Sequence, residues 1–306
     1  MAGPGVSRDR DRRPPLPGAS SSKLRLGAAA YGVGARILRA VPARMRHAAV
    51  APGGTAWYWL SAAQRRAALD NYAAALGRDR SDPEVARVAR RAFQNYGRML
   101  ADFVLMGSIR REELSKQVSS DGLEHVDAAL AQGRGAIMAV PHMGSWDVAG
   151  SWAAAKGYPV SAVTERFPGS LNDAVVETRQ RFGLKVIMLG RPAVRAITDA
   201  LRSNGVVALL CDLEQGPGVG VRFFGRQAVV PGGPAAIAIK TGAALIPSYV
   251  YSVAPSRYHI HLDPPMSWPA AETKESLMQR VVARFEDFIK ERPDQWYAFR
   301  RMFARD

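Results

Sequence analysis

Residues 136–147 read Ala136-Ile137-Met138-Ala139-Val140-Pro141-His142-Met143-Gly144-Ser145-Trp146-Asp147. The apolar run predicts a buried strand that ends at Pro141, and a helix is expected to begin near Ser145. His142 then stands in the loop at a strand's C-terminal end, where open α/β sheets place their sites.

The same texture continues outward from this stretch. Short apolar runs predict strands at 136–140, 160–164, 186–189, 206–211, 220–223, 245–251 and 258–262. Helices expected at 124–131, 145–155, 171–182, 193–203, 234–241 and 273–290 separate many of them. Such alternation argues for an α/β fold whose sheet has parallel portions. Upstream the pattern is helical. Ser61 precedes a helix that stops before Gly77, and Asp82-Pro83 opens another that runs to Met106. The expected apolar face of the second is Val85, Val88, Phe93, Tyr96, Leu100 and Val104. The chain divides into a tail over 1–22, a helical N-terminal cap over 23–121 and an α/β body over 122–306, with no internal repeat.

The tail is rich in Gly, Pro, Ser and Arg, a composition expected to be disordered. Over 23–49, Leu24, Ala28, Tyr31, Ala35 and Leu38 recur at helical spacing with Arg25, Arg36 and Arg39 between them. Gly27, Gly32 and Gly34 weaken that helix. A basic amphipathic segment fits the headgroup layer of a membrane, and it fits equally an ordinary helix packed on the core. Lys+Arg number 42 against 27 Asp+Glu, a formal net charge of +15. Residues 1–46 hold ten Lys/Arg against two acids, Asp9 and Asp11. That excess suits an anionic membrane surface, nucleic acid, or simple solubility.

No window of about 18 uncharged apolar residues occurs. The nearest, 241–256, contains Pro247 and Pro255. No secretory leader is recognisable. The expected location is therefore peripheral, on the cytoplasmic face of the inner membrane. The single cysteine, Cys211, follows the apolar run 206–210 and is expected to be a packed thiol.

Asp147 lies five residues after His142, in the first turn of the expected helix. A carboxylate folded back onto the imidazole would fix its tautomer and leave the other ring nitrogen free to take a proton. The helix dipole alone also favours an acid there, and Ser145 also suits a helix N-cap. His259 and His261 alternate on a strand and face one side together. No third ligand is evident beside them, so they are expected to be a surface pair on an edge strand, and no metal is expected. His47 and His125 have no visible partner.

His-x-x-x-x-Asp after an apolar strand resembles the signature of the glycerolipid acyltransferases. Over residues 24–303 the chain is similar to the branch that contains the lipid A late acyltransferases and the phosphatidylinositol mannoside acyltransferases of actinobacteria. The segments that carry the resemblance come in order. They are His142-Met143-Gly144-Ser145-Trp146-Asp147, then Thr164-Glu165-Arg166, then Leu210-Cys211-Asp212-Leu213 with Val221-Arg222-Phe223-Phe224-Gly225. Pro231-Gly232-Gly233-Pro234-Ala235-Ala236, Lys240-Thr241-Gly242-Ala243 and Pro293-Asp294-Gln295-Trp296 follow. Trp146 and Asp147 are typical of the mannoside branch, whereas the lipid A branch usually has Glu at the acidic position.

The resemblance implies a mixed central sheet flanked by helices. It also implies acyl transfer from acyl-CoA, as co-substrate and without a cofactor, to a mannose hydroxyl of a membrane glycolipid. His142 is then the general base and Asp147 its partner. A second, downstream carboxylate is expected, with Glu214 and Asp212 the nearest candidates, although Gln215-Gly216-Pro217-Gly218 departs from the family pattern. Arg166 or backbone N–H groups would stabilise the oxyanion. Asp212, Ser145, Phe223 and Phe224 are assigned to substrate binding, the two aromatics to an apolar groove for acyl chains. The Pro293-Asp294-Gln295-Trp296 segment reads as structural.

Rival readings lack their marks. An α/β-hydrolase should show Gly-x-Ser-x-Gly, and a nucleotide-binding enzyme Gly-x-x-x-x-Gly-Lys or Gly-x-Gly-x-x-Gly. Neither pattern is present. A basic nucleic-acid-binding protein would fit the charge but shows no reading helix or aromatic platform, so no nucleic acid partner is expected. A membrane-binding relative without catalysis is opposed by the intact His142/Asp147 pair.

Overall fold

The computed structural model describes residues 39–166, 170–215 and 218–303. The tail at 1–22 and most of the amphipathic segment at 23–49 lie outside the described residues. Three helices come first: α1 (Ala43–Leu60), α2 (Ala62–Leu76) and α3 (Pro83–Met106). Helix α1 contains Pro52, Gly53 and Gly54, which is why its sequence does not announce it. Packing overrides propensity here. A Cβ on Gly54 would stand 2.6 Å from the Cα of Gln94, so glycine lets α1 lie directly on α3.

Helix α3 starts as its sequence predicts, with Asp82 accepting a 2.8 Å bond from the amide of Glu84 and Pro83 in the first turn. Its buried stripe includes Val85, Val88, Phe93, Met99, Phe103 and Met106. Leu100, expected on that face, is 44% exposed. Asp102 lies in the stripe instead. Its carboxylate meets His47 Nε2 at 3.0 Å, accepts from Ser256 Oγ at 2.7 Å and accepts from the Tyr258 hydroxyl. His47 thus has a partner that its sequence context concealed.

The α/β part follows as α4 (Arg111–Ser115), β1 (Val118–Asp121), α5 (Leu123–Ala131), β2 (Ala136–Val140), α6 (Trp146–Ala155) and β3 (Val160–Thr164). Next come α7 (Ser170–Gln180), β4 (Lys185–Met188), α8 (Ala193–Arg202) and β5 (Val206–Leu210). The last elements are β6 (Val219–Phe223), β7 (Arg226–Val230), α9 (Gly233–Thr241), β8 (Ala244–Ala254), β9 (Arg257–Leu262), α10 (Lys274–Glu291) and a 3₁₀ turn, Pro293–Gln295. Seven strands form one sheet in the order β1-β9-β8-β2-β5-β3-β4. Strands β2, β3, β4, β5 and β8 run parallel, β9 is antiparallel to β8, and β1 is parallel to β9. The sheet is mixed and helix-flanked, as expected.

Two strands were not anticipated. Val118-Ser119-Ser120-Asp121 has one apolar residue and no alternation to read, yet it pairs with β9. His259 and His261 are therefore one strand in from the edge. They flank the carboxylate of Asp121 at 2.6 and 2.7 Å, and His261 also meets Asp263, which Arg284 holds. Strand β7 pairs with β6 in a separate hairpin whose two turn residues, Phe224 and Gly225, both have positive φ (50° and 75°). Tight hairpins demand that geometry.

Candidate active site

Strands β2 and β5 are adjacent and parallel, with Val140 opposite Leu210. The ladder extends one step further, Cys211 N–H donating to Val140 O at 3.1 Å. Two residues past each paired end stand His142 and Asp212. The imidazole and the carboxylate are thus delivered to the same spot by strand register, although far apart in the chain. His142 Nδ1 lies 2.6 Å from Asp212 Oδ1, and the backbone N–H of His142 donates to the same oxygen at 3.0 Å. The other carboxylate oxygen accepts from Trp296 Nε1 at 2.8 Å. Asp212 is fully buried, whereas the His142 side chain is 15% exposed. A carboxylate on Nδ1 places the proton there and leaves Nε2 as the acceptor.

The loop around His142 is held by the C-terminal segment. Gly144 N–H donates to Gln295 O at 3.0 Å, Tyr297 N–H donates to His142 O at 2.8 Å, and Met143 bridges to Trp296. Gly144 has φ +60°, and a Cβ there would stand 2.0 Å from Val250 O, so no other residue fits this turn. The amide of Gly144 is bonded to Gln295 and that of Met143 to Pro141, whereas the amides of the first turn of α6 have no carbonyl partner within the helix.

Asp147, expected on His142, is instead buried against Arg179, whose Nε donates to Oδ1 at 2.6 Å. Its position in the first turn of α6 points it toward α7 rather than back along the loop. Glu214, the other expected carboxylate, is exposed beyond β5, and Arg166 is exposed just past β3. Ser145 is buried at the N-cap position of α6 without making a cap bond. Phe223 is fully buried, stacked on Phe224 at 4.7 Å and 5.9 Å from the Trp296 ring, so it serves as core against Trp296. Phe224 is half-buried beside it.

Trp296, read from sequence as structural, contacts Asp212 directly. Its indole N–H had no signal in the sequence beyond its place in the family motif. Cys211 is buried beside Asp212. Burial first, and then the adjacent carboxylate, push its thiol well above the ordinary range, so it is no nucleophile. Among the described residues, no group of three or more His, Cys, Asp and Glu is arranged to hold a metal ion. Aromatic rings lead away from His142. Trp146 packs edge-on at 5.5 Å, Tyr297 follows at 6.1 Å, then Tyr96 at 5.2 Å and Trp57 of α1 at 5.7 Å. At the end of α1, Trp59 is 60% and Leu60 84% exposed. Arg65 lies over the Trp59 ring at 5.3 Å.

A family model for bacterial lipid A biosynthesis acyltransferases matches residues 19–305. The chain belongs to this acyltransferase family. Within it, the chain is 31% identical over 222 residues to a phosphatidylinositol mannoside acyltransferase of Mycobacterium tuberculosis, covering 70% of each protein. It is 28% identical over 282 residues to the phosphatidylinositol mannoside acyltransferase of Mycolicibacterium smegmatis, covering 90% of this chain and 91% of that one. A lipid A biosynthesis acyltransferase of Haemophilus influenzae is 26% identical over 190 residues, 61% of this chain and 59% of the relative. The family membership agrees with the resemblance read from the motifs, and it places the His142 loop and the Asp212 strand end within the matched region.

Proposed function

We propose that this acyltransferase moves a fatty acyl group from acyl-CoA to a mannose hydroxyl of a phosphatidylinositol mannoside, with His142 as general base. The observation that carries the reading is the 2.6 Å contact between His142 Nδ1 and Asp212, which leaves Nε2 to accept the hydroxyl proton. The hydroxyl oxygen attacks the thioester carbon as His142 Nε2 takes its proton. The tetrahedral oxyanion is met by amides of the α6 first turn. The C–S bond then breaks, and the imidazolium returns its proton to the leaving thiolate of coenzyme A. No covalent enzyme intermediate is needed. Asp212 stabilises the imidazolium while it exists, as the acid of a Ser-His-Asp triad does. The names of the two mycobacterial relatives support the mannoside acceptor.

The same reading has the enzyme working at a membrane surface, and its cytoplasmic side is part of the proposal. Among the described residues no helix is long and apolar enough to cross a membrane. Helix α1 ends on the exposed Trp59-Leu60 pair, with Arg65 over the Trp59 ring and Arg66 exposed next to it in sequence. An exposed Trp beside arginines suits the headgroup region.

The test is transfer of radiolabelled palmitate from its coenzyme A thioester to a panel of membrane lipids, wild type beside His142→Ala. The expected product is acylated phosphatidylinositol mannoside, with the rate in the variant lower by roughly 10²–10⁴-fold. Label on a lipid A precursor instead would keep the chemistry and replace the acceptor. Full activity in His142→Ala would remove the base.

A further inference from the structure

We propose that Trp296 is a positioning residue for the general base, acting through Asp212. This rests on the reading of His142 as base. Both oxygens of Asp212 are committed: Oδ1 to the ring and backbone of His142, Oδ2 to the indole N–H at 2.8 Å. Trp296 is itself fully buried and fixed. The Tyr72 hydroxyl donates to its carbonyl, the Tyr72 ring packs edge-on at 5.8 Å, and Phe223 and Phe224 close the other side at 5.9 and 5.8 Å. Helix α2, which carries Tyr72, is thereby connected to Asp212 through Trp296.

The indole N–H has two physical effects. It stops the buried carboxylate from rotating about its Cβ–Cγ bond, which would break the bond to Nδ1. It also makes a charge-assisted bond to the anionic Oδ2, so the carboxylate's charge is shared between the indole and the imidazole. Without the indole N–H, the whole of that charge would face the imidazolium. The backbone bonds of residues 295–297 to the His142 loop do not need an indole; the bond to Asp212 does. Loss of the N–H therefore raises the proton affinity of His142 and misaligns it, without loosening the loop.

Trp296→Phe removes bulk as well as the N–H, so the decisive variant carries 3-benzothienylalanine at 296, in which sulfur replaces N–H at nearly constant shape. Two quantities are measured on the full chain. The first is the titration of the His142 ring, followed by NMR with the resonance assigned through His142→Ala. The second is the pH profile of kcat/KM for palmitoyl transfer. The expected result is a His142 titration displaced to higher pH, a matching displacement of the acidic limb, and kcat/KM lower by about ten- to hundredfold, with the far-UV circular dichroism spectrum unchanged. In an Asp212→Asn background the same exchange should change the rate by no more than about twofold. An unmoved titration in the isosteric variant overturns the inference, as does an equal loss in the Asp212→Asn background. An active His142→Ala overturns the base reading and this inference with it. An inactive His142→Ala beside an unaffected 296 variant overturns the inference alone.

Discussion

Leu210 pairs with Val140 at the ends of two parallel strands, and the residue two beyond each, Asp212 and His142, meet side chain to side chain at 2.6 Å. Because the contact is set by ladder register, the two groups are held by adjacent strands of the central sheet. Asp212→Asn should therefore leave the fold intact and still fail in catalysis. An amide N–H facing Nδ1 would hold the ring in the tautomer whose Nε2 carries the proton. The rate of palmitoyl transfer should drop on the order of 10³–10⁴-fold, with an unchanged far-UV circular dichroism spectrum. A near-normal rate would remove Asp212 from the mechanism.

Asp147 and Arg179 form a buried ion pair, 10% and 6% exposed. Removing one partner strands a charge in the interior. Asp147→Ala should cost about 3–5 kcal/mol of stability, seen as a lowered thermal midpoint. Replacing both residues with Leu and Met should recover most of that loss. Its effect on the rate should be smaller than that of Asp212→Asn. The reverse ranking would restore Asp147 as the partner of the imidazole.

Cys211 gives a pH prediction with a definite sign. Burial raises the thiol, so the reactive thiolate is absent throughout the range where the enzyme works. Iodoacetamide at pH 8 should leave the native protein unlabelled and label it fully in guanidinium. Rapid labelling of the native chain would show that the end of β5 opens.

At the corner between α1 and α2, Trp59→Ala with Leu60→Ser removes two exposed apolar side chains. Affinity for phosphatidylglycerol vesicles should weaken by about tenfold or more, measured by co-sedimentation. The imidazole titration should not change. Undiminished vesicle binding would move the membrane contact elsewhere on the chain.

The sequence of strands β2 and β5 announced the parallel centre of the sheet because each is an unbroken apolar run bounded by loop residues. Strand β1 was invisible for the opposite reason: one valine and three polar residues carry no periodicity, and its strand identity comes wholly from β9. Helix α1 was hidden by Pro52-Gly53-Gly54, of which Gly54 is kept there by close packing on α3. At the site, His142 was legible as the residue after a buried strand. Its pairing was not. Local spacing favoured Asp147, but in the first turn of α6 its side chain faces Arg179 of α7, whereas the matching end of β5 brings Asp212 across. Asp212 was named among the candidate carboxylates, yet the choice between it and Glu214 turns on a single peptide's worth of ladder, Cys211 to Val140, that no pattern displays. Trp296 shows the same limit. Its type and place were plain, and the atom it bonds was not.

The backbone bonds from Gln295 and Tyr297 to the His142 loop have a consequence for biosynthesis. On the ribosome, β2 and His142 emerge long before residues 295–297 are made. Until those residues arrive, Gly144 and His142 lack the partners that fix their turn, and Asp212 lacks its indole donor. A nascent chain can build the sheet in its own time and still be catalytically silent. On the proposed mechanism, competence would come late, with residues 295–297.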